Sequence, residues 1–239
     1  SVAVLAAKII LESSGETYRA EDTALRLCWS FGLKDVDILA FPTGFTLCAT
    51  LPDGTRETRI QRIKERSIHL KNINDVNTVS RLAAEKKLSV DEAYSKLETI
   101  VNSSKANPLS LLIAFAFASG FFSVMFGGRL LEFIISFVCG LIVQGLIPFY
   151  VKRNAPSILI SLFSGLVASA IAIGACHFVP ANSSTIIVGT IMPLLPGIAM
   201  TNAIRDTMRG DLLSGIGRGI EALLCVIAIA AGVSIVIFI

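Results

Sequence analysis

Charged residues are scarce in the second part of this sequence. The chain has 21 Lys or Arg and 18 Asp or Glu, and 29 of these 39 residues lie within residues 1–105. Over the whole chain 53% of residues are hydrophobic and only 16% are charged, a balance outside the range of ordinary soluble proteins. The sequence therefore predicts two parts with different surroundings, of which only the first is suited to water.

Residues that commonly bind metals or perform catalysis are also few. His69 and His177 are the two histidines, and the five cysteines show no C-x-x-C spacing. We find no phosphate-binding loop and no G-x-S-x-G nucleophile motif. These absences predict no metal and no cofactor, and they argue against an enzyme. The net charge of +3, without a clustered basic face, argues against nucleic-acid binding.

The first 105 residues have the periodicities of a small water-soluble domain. The opening run VAVLAAKIIL is interrupted by Lys8 and lacks a basic leader, so it predicts an amphipathic helix rather than a signal peptide. Helical spacing continues to residue 31, alternating strand-like segments with Pro-Gly turns follow, and helical spacing returns after residue 70. Residues 1–105 therefore predict an α+β domain with the order α-α-β-β-β-α-α.

Long apolar segments dominate the rest of the chain, residues 106–239. A helix rises about 1.5 Å per residue, so about 20 apolar residues span the hydrocarbon core of a bilayer. Five segments approach this length: 109–126, 130–150, 156–178, 185–203 and 219–239. The fold class predicted is an integral α-helical membrane protein with five transmembrane helices, preceded by the small α+β domain.

Basic residues in the short loops predict the orientation of these spans. If the α+β domain is cytoplasmic, the cytoplasmic loops hold Lys152, Arg153, Arg205, Arg209 and Arg218. The opposite loops then hold only one basic residue, as the positive-inside rule requires. We expect a multi-pass protein of the cytoplasmic membrane, with the first domain in the cytoplasm and the C-terminus outside.

The fourth predicted span contains helix-breaking residues. Pro193 and Pro196, with Gly197 beside them, lie where an unbroken helix would be needed to cross the bilayer. Proline removes a backbone hydrogen bond and clashes with the preceding turn, so a break is predicted there. The exposed ends of broken membrane helices are common binding sites for ions and small polar molecules.

Polar residues follow this break at helical spacing. Asn202, Arg205, Asp206 and Arg209 recur at i, i+3, i+4 and i+7, which places them on one helical face. Such a face beside a helix break predicts a substrate or proton site. The alternative is that residues 205–211 form a cytoplasmic loop, where Asn202 and Asp206 would act as a gate or a partner contact.

Two further acidic residues lie just inside predicted spans. Glu132 begins the second span and Glu221 the fifth, and an ionisable group in hydrocarbon is costly enough to suggest a function. Both are candidates for substrate binding or proton coupling. Each could equally reach the headgroup level, because long side chains extend toward water.

Several motifs together resemble the bacterial threonine/serine exporter family. They are GETYRAEDT at 15–23, Gly-Gly at 127–128 followed by Glu132, and PLLPGIAMTNAIRDTMRGDLLSGIGRG at 193–219. The similarity covers nearly the whole chain and resembles most closely the larger subunit of the split, two-component form, which is related to the succinate exporter. It marks Asn202 and Asp206 as functional positions, and in the first domain it marks Glu16, Arg19, Glu21 and Asp22.

The resemblance implies a secondary exporter of small polar metabolites, driven by the proton gradient. The expected substrates are threonine and serine or a dicarboxylate such as succinate. The expected partner is a small, separately encoded membrane subunit of the same family, with a homo-oligomer as the alternative. We further expect Asp206 to carry the proton or bind the substrate ammonium group, Asn202 to bind substrate, and Arg205 or Arg218 to pair with a carboxylate.

A second reading of the sequence is a membrane-anchored sensor or scaffold. In that reading the first domain binds a ligand and the apolar spans only hold it at the bilayer. A simple anchor does not need a broken helix followed by a polar face, so these features favour transport.

Overall fold

The computed structural model describes residues 2–103 and 107–238. Residue contacts divide the chain into two compact units. The first consists of Ser1–Lys105 and Ile198–Gly219, and the second of Ala106–Gly197 and Ile220–Ile239. The domain boundary predicted between residues 105 and 106 lies outside the described residues. The layout of residues 1–105 and 106–239 as separate domains stays a prediction.

The first unit opens with helices and a sheet in the order α-α-β-β-β-α-α. The elements are α1 (Val2–Glu12), α2 (Thr17–Ser30), β1 (Lys34–Phe41), β2 (Gly44–Thr50), β3 (Arg56–Arg62), α3 (Leu70–Ala84) and α4 (Val90–Ser103). The three strands form one antiparallel sheet in the order β1-β2-β3. Short turns connect the strands, as expected where Pro-Thr-Gly and Pro-Asp-Gly separate β-prone segments.

Helix α1 lies at the centre of the apolar core of this unit. Ile10 and Leu11 are fully buried and pack in one cluster with Leu27 of α2, Val76 of α3 and Leu97 of α4. The middle strand contributes one face of alternating buried residues, as a strand with one covered face should. The core thus holds α2 and the loop before it in a defined position.

The second unit contains the apolar helices. They are α5 (Pro108–Met125), α6 (Leu130–Lys152), α7 (Ser157–Cys176) and α8 (Ser183–Ile191), followed by a short 3-10 helix at Met192–Leu194. Two further helices, α9 (Gly197–Met208) and α10 (Leu212–Ile237), complete the described chain. Among the described residues, four helices are long and apolar enough to cross a membrane, and five spans result if α8 and α9 count as one broken span.

Small residues allow the helices of the second unit to pack closely. A side chain added at Gly189 of α8 would lie 2.7 Å from the backbone nitrogen of Ser123 in α5. One added at Gly165 of α7 would lie 2.5 Å from the carbonyl oxygen of Ile229 in α10. Close contacts at small residues are how membrane helices associate, because apolar side chains gain nothing by leaving lipid.

Large apolar side chains remain exposed on these helices. In each of the four long helices, only 22–28% of an apolar stretch of 18 residues is buried. Phe121 of α5 and Ile134 of α6 are more than half exposed. Apolar surfaces this extensive need lipid or a partner to cover them, so the second unit is that of a multi-pass membrane protein.

The helix break and the final helix differ in detail from the sequence prediction. The fourth apolar segment is helical to Ile191, turns through the 3-10 helix that contains Pro193, and begins α9 at Gly197 after Pro196. Helix α10 begins at Leu212 rather than near residue 219. The hydropathy-based prediction begins after Arg218, because a charged residue lowers the local hydropathy, whereas in the structure Arg218 lies inside the helix.

Candidate functional site

The polar face of α9 is the starting point of the site. Asn202 and Asp206, one helical turn apart, are 5% and 0% exposed. Arg205 lies beside them with its side chain 57% exposed, and Arg209 follows the last residue of α9. A polar pair this deeply buried must be satisfied by other protein groups.

Those groups come from the loop between α1 and α2. Ser14 has a positive φ of 59°, and the amide of Gly15 donates to the carbonyl of Ile10 at 2.8 Å. A side chain at Gly15 would lie 2.6 Å from Ile10 Cγ2, so only glycine fits there. The loop therefore presents its carbonyl oxygens in a fixed arrangement.

Asp206 is the central residue of the site. Its Oδ1 accepts from the backbone amide of Thr17 at 3.2 Å, and its Oδ2 accepts from the Thr17 hydroxyl at 3.1 Å. Arg218 Nε lies 3.1 Å from Oδ2 in an ion pair in which both side chains are almost fully buried. Thr17 begins α2, whose preceding residue provides no side-chain cap. Asp206 thus places a negative charge at the positive end of α2.

Three further hydrogen bonds fix the loop against α9 and α10. Arg218 Nη2 donates to the carbonyl of Gly15 at 2.7 Å, and Asn202 Nδ2 donates to the carbonyl of Ser14 at 2.8 Å. Arg205 Nη1 donates to Glu16 Oε1 at 2.7 Å. We call the set of Ser14, Gly15, Glu16, Thr17, Asn202, Arg205, Asp206 and Arg218 the latch cluster. All eight residues belong to the first unit.

Glu16 is held ionised by its surroundings. Burial raises the pKa of its carboxyl, but a backbone hydrogen bond, the Arg205 hydrogen bond and the charges of Arg19 and Arg205 together lower it below the usual value. Arg19 Nη1 lies 3.5 Å from Glu16 Oε2, so Glu16 lies between two guanidinium groups.

The other motif residues of α2 have separate partners. Glu21 Oε1 accepts from the amide of Ala40 in β1 at 2.8 Å, and burial raises the pKa of this carboxyl. Asp22 forms an exposed ion pair with Arg26 at 2.9 Å, one turn along the same helix. Glu21 therefore joins α2 to the sheet, whereas Asp22 faces outward.

Glycines bring α9 and the start of α10 together. Gly210 has a φ of +93° in the turn between them. A side chain at Gly215 would lie 2.9 Å from the carbonyl oxygen of Ala203 and would also meet Thr207. This close approach places Arg218 beside Asp206.

Glu132 and Glu221, the other predicted acidic sites, belong to the second unit. Glu132 is 8% exposed, and it accepts from the amides of Arg129 at 2.8 Å and Asn182 at 3.1 Å. It therefore caps the N-terminus of α6 and holds the loop before α8. Glu221 lies on the exposed side of α10.

The sequence did not single out three members of the latch cluster. Thr17 lies within the GETYRAEDT motif, but a neutral hydroxyl residue is a weaker candidate than the charged residues around it. Ser14 and Gly15 act through carbonyl oxygens, which no residue type reveals. The glycine after Ser13-Ser14 was the available signal, since a glycine between two helices often marks a close approach. Among the described residues, no group of His, Cys, Asp and Glu could hold a metal ion.

The fold and the site together describe a multi-pass membrane protein in which the polar face of α9 is hydrogen-bonded to the loop between α1 and α2. The family profile described as "Putative threonine/serine exporter" matches residues 1–239. The chain therefore belongs to the threonine/serine exporter family, which confirms the resemblance at the level of the family. This is a family of membrane exporters.

Two curated relatives match this chain at low sequence identity. One is named "Probable threonine/serine exporter", from Mycobacterium tuberculosis, and is 21% identical over 96% of this chain and 44% of its own length. The other is named "Pheromone-regulated membrane protein 10", from Pichia sorbitophila, and is 27% identical over 76% of this chain and 19% of its own length. The chain thus spans less than half the length of these relatives. No solved structure matches it.

Proposed function

We propose that this chain is the transport subunit of a secondary exporter that moves threonine or serine out of the cytoplasm in exchange for protons. Membership of the exporter family and the set of long apolar helices support transport. A dicarboxylate such as succinate is the second substrate class. The proposal includes no catalytic step and no cofactor.

The latch cluster is the observation that carries the mechanism. Helix α9 follows the break after Leu194, and its two buried polar residues, Asn202 and Asp206, bind the α1–α2 loop rather than lining an open space. In this arrangement they are occupied by protein groups. We assign them to a cytoplasmic gate whose opening releases α9, which was the alternative that the sequence left open.

Proton coupling follows from the chemistry of Asp206 in this proposal. A protonated Asp206 has no charge to attract Arg218 or the positive end of α2, so its protonation weakens both contacts. Arg218 would then gain by moving toward water. Proton binding and gate opening are thereby linked through one carboxyl group.

The small membrane subunit belongs to the same proposal. Large apolar side chains such as Phe121 and Ile134 are exposed on the helices of the second unit and offer a surface for further helices as well as for lipid. The proposed arrangement is a hetero-oligomer in the cytoplasmic membrane with the N-terminal domain in the cytoplasm and the C-terminus outside. Assembly of several copies of this chain is the competing arrangement.

Inside-out vesicles test these points directly. Vesicles carrying this chain, with and without the small subunit, are given a pH gradient and radiolabelled threonine, serine or succinate. We expect gradient-dependent uptake of threonine or serine that Asp206→Asn abolishes. Asp91→Asn, an exposed aspartate in the first turn of α4, is the matched control and should transport normally. Uptake at the same rate with and without the pH gradient would contradict proton coupling.

No uptake with any of the three substrates, although the protein is folded, would contradict the transport proposal. Ligand binding without transport would instead support the membrane-anchored sensor.

A further inference from the structure

A polar cavity lies between α2 and α3 in the first unit, and none of its lining residues is a member of the latch cluster. Its volume is about 340 Å³, which is within the range that small metabolites occupy. Its lining is formed by side chains of Tyr18, Arg19, Asp22, Thr23, Arg26, Asn74, Asn77, Ser80 and Arg81. Not one of these is aliphatic, so the cavity suits a charged or strongly polar occupant rather than an apolar one.

The charge of the lining favours an anion. Arg19, Arg26 and Arg81 face Asp22 as the single acidic residue of the lining. Asp22 pairs with Arg26 at 2.9 Å, and Arg81 donates to the Thr78 hydroxyl at 3.2 Å. Thr78 is a neutral partner, and the acidic residue near Arg81 is Glu85, which lies outside the lining and interacts electrostatically with Arg81. Within the lining, three arginines outnumber one aspartate. Guanidinium groups bind carboxylates and phosphates through paired hydrogen bonds, so this excess of positive charge favours an anion.

A buried hydroxyl in the same lining also lacks a partner. Ser80 is 2% exposed, and its Oγ has no hydrogen-bond partner in the part of the chain that the structure describes. Nearby, the Thr23 hydroxyl makes only a long contact of 3.5 Å to Asn77 Oδ1. Buried polar groups are normally satisfied, and a ligand with several acceptor oxygens would satisfy this one.

We propose that this cavity binds a small metabolite anion that carries at least two acceptor oxygens on a carboxylate or phosphate group. Arg81 and Arg19 bind the anionic group, and Ser80 with Asn77 binds a second polar group of the ligand. The site is distinct from the gate at Asp206 and requires no membrane transport in order to bind.

The lining is connected to α9 through two side chains. Arg19 pairs with Glu16, whose other oxygen binds Arg205 of α9, and the Tyr18 ring lies 4.5 Å from the guanidinium carbon of Arg209. An anion that draws Arg19 toward the cavity breaks the ion pair between Arg19 and Glu16, whereas the hydrogen bond from Arg205 to Glu16 remains. The ligand therefore regulates the gate, a conclusion that rests on the proposed function, whereas binding itself does not.

Calorimetric titration of the full chain in lipid nanodiscs tests the binding site. The probes are succinate, inorganic phosphate and L-threonine, the last carrying no net charge. We expect saturable binding of succinate or phosphate, and the stronger of the two identifies the chemical class. Arg81→Gln should weaken this binding about tenfold, as expected for the loss of one charge-assisted contact. Ser80→Ala should weaken it less.

Arg62→Gln is the matched control, because Arg62 is an exposed arginine of β3 that does not line the cavity. It should bind the probe with unchanged affinity, and all variants should unfold at the wild-type temperature. Equal weakening by Arg62→Gln would indicate non-specific attraction and overturn the site. So would the absence of saturable anion binding, which would leave a water-filled cavity, or binding of L-threonine that Arg81→Gln weakens as much as it weakens anion binding.

The regulatory step has its own readout. In the vesicle assay, a saturating anion on the cytoplasmic side should change the uptake rate of the wild type and not that of Arg81→Gln. Anion binding should persist in the transport-inactive Asp206→Asn chain. This result would show that the anion site does not depend on the transport mechanism, so the two proposals can fail independently. Unchanged uptake in the presence of the bound anion would contradict the regulatory role, whereas the proposed binding site would remain supported.

Discussion

Asp206 and Glu132 are both buried carboxylates at helix N-termini, yet their partners differ in kind. Glu132 accepts from two backbone amides, one of them three residues before it. Asp206 accepts from Thr17, 189 positions earlier in the chain, and pairs with the buried Arg218. The first arrangement needs no second ionisable group. The second contains a buried pair of opposite charges, Asp206 and Arg218.

This difference separates a carboxylate held by backbone amides from one held in a buried ion pair. Replacing a cap costs the bonds of that cap, whereas replacing one member of a buried ion pair leaves the other charge uncompensated. The two carboxylates are therefore expected to respond differently to substitution, and in the proposed mechanism only Asp206 is a coupling residue.

Asp206→Asn should have the largest effect on the first unit. It removes the buried carboxylate that lies 3.1 Å from Arg218 Nε, and breaking such a buried pair costs about 3–5 kcal/mol. We expect a clear fall in the thermal unfolding temperature in nanodiscs, together with loss of uptake. Asp206→Asn combined with Arg218→Gln should recover part of the stability and none of the transport. Wild-type stability of the single variant would show that the pair contributes little.

Gly215→Ala tests whether this buried pair depends on the close approach of α9 and α10. The new methyl group would lie 2.9 Å from the Ala203 carbonyl oxygen, and overpacking of this kind costs about 1–3 kcal/mol. Gly217→Ala is the matched control, because nothing lies within 4 Å of a methyl group there. In a helix this control should be neutral or stabilising. Equal unfolding temperatures for the two variants would contradict the packing argument.

Glu132→Gln should have a smaller effect and should leave transport intact. The amide oxygen of Gln can replace one of the two acceptor bonds, but its NH2 group cannot accept from the second amide. A lost cap contact costs about 1 kcal/mol. The unfolding temperature should fall slightly, and uptake per folded molecule should match the wild type. Loss of uptake at unchanged stability would make Glu132 a coupling residue after all and would remove the contrast with Asp206.

Local features of the fold could be predicted from the sequence, and long-range ones could not. Proline at 193 and 196 acts on its own turn, so the break before α9 was visible in the residues. Hydropathy placed the start of the last helix too late, because it counts Arg218 as a charge and cannot register the carboxylate that neutralises it. The partner loop at Ser14 and Gly15 contributes only backbone oxygens. Gly15 indicates a close approach, but nothing in the sequence identifies α9 as the segment that approaches, because that contact depends on the packed core.

Glu16→Gln addresses the half-exposed ion pair of the same cluster and should have the smallest effect. Its pKa is lowered in the folded protein, so the ionised carboxyl stabilises the fold above its ordinary pKa of 4.5, and this contribution is lost as the pH falls through the lowered pKa. The Arg205 side chain is 57% exposed, which limits the contribution to at most about 1 kcal/mol.

Unfolding should therefore be measured between neutral pH and pH values below 4.5. The wild type should be slightly more stable than Glu16→Gln at neutral pH, and the difference should vanish in acid. Glu98→Gln, an exposed substitution on α4, should follow the wild type throughout. A difference that persists at low pH would mean that Glu16 acts by packing rather than by charge.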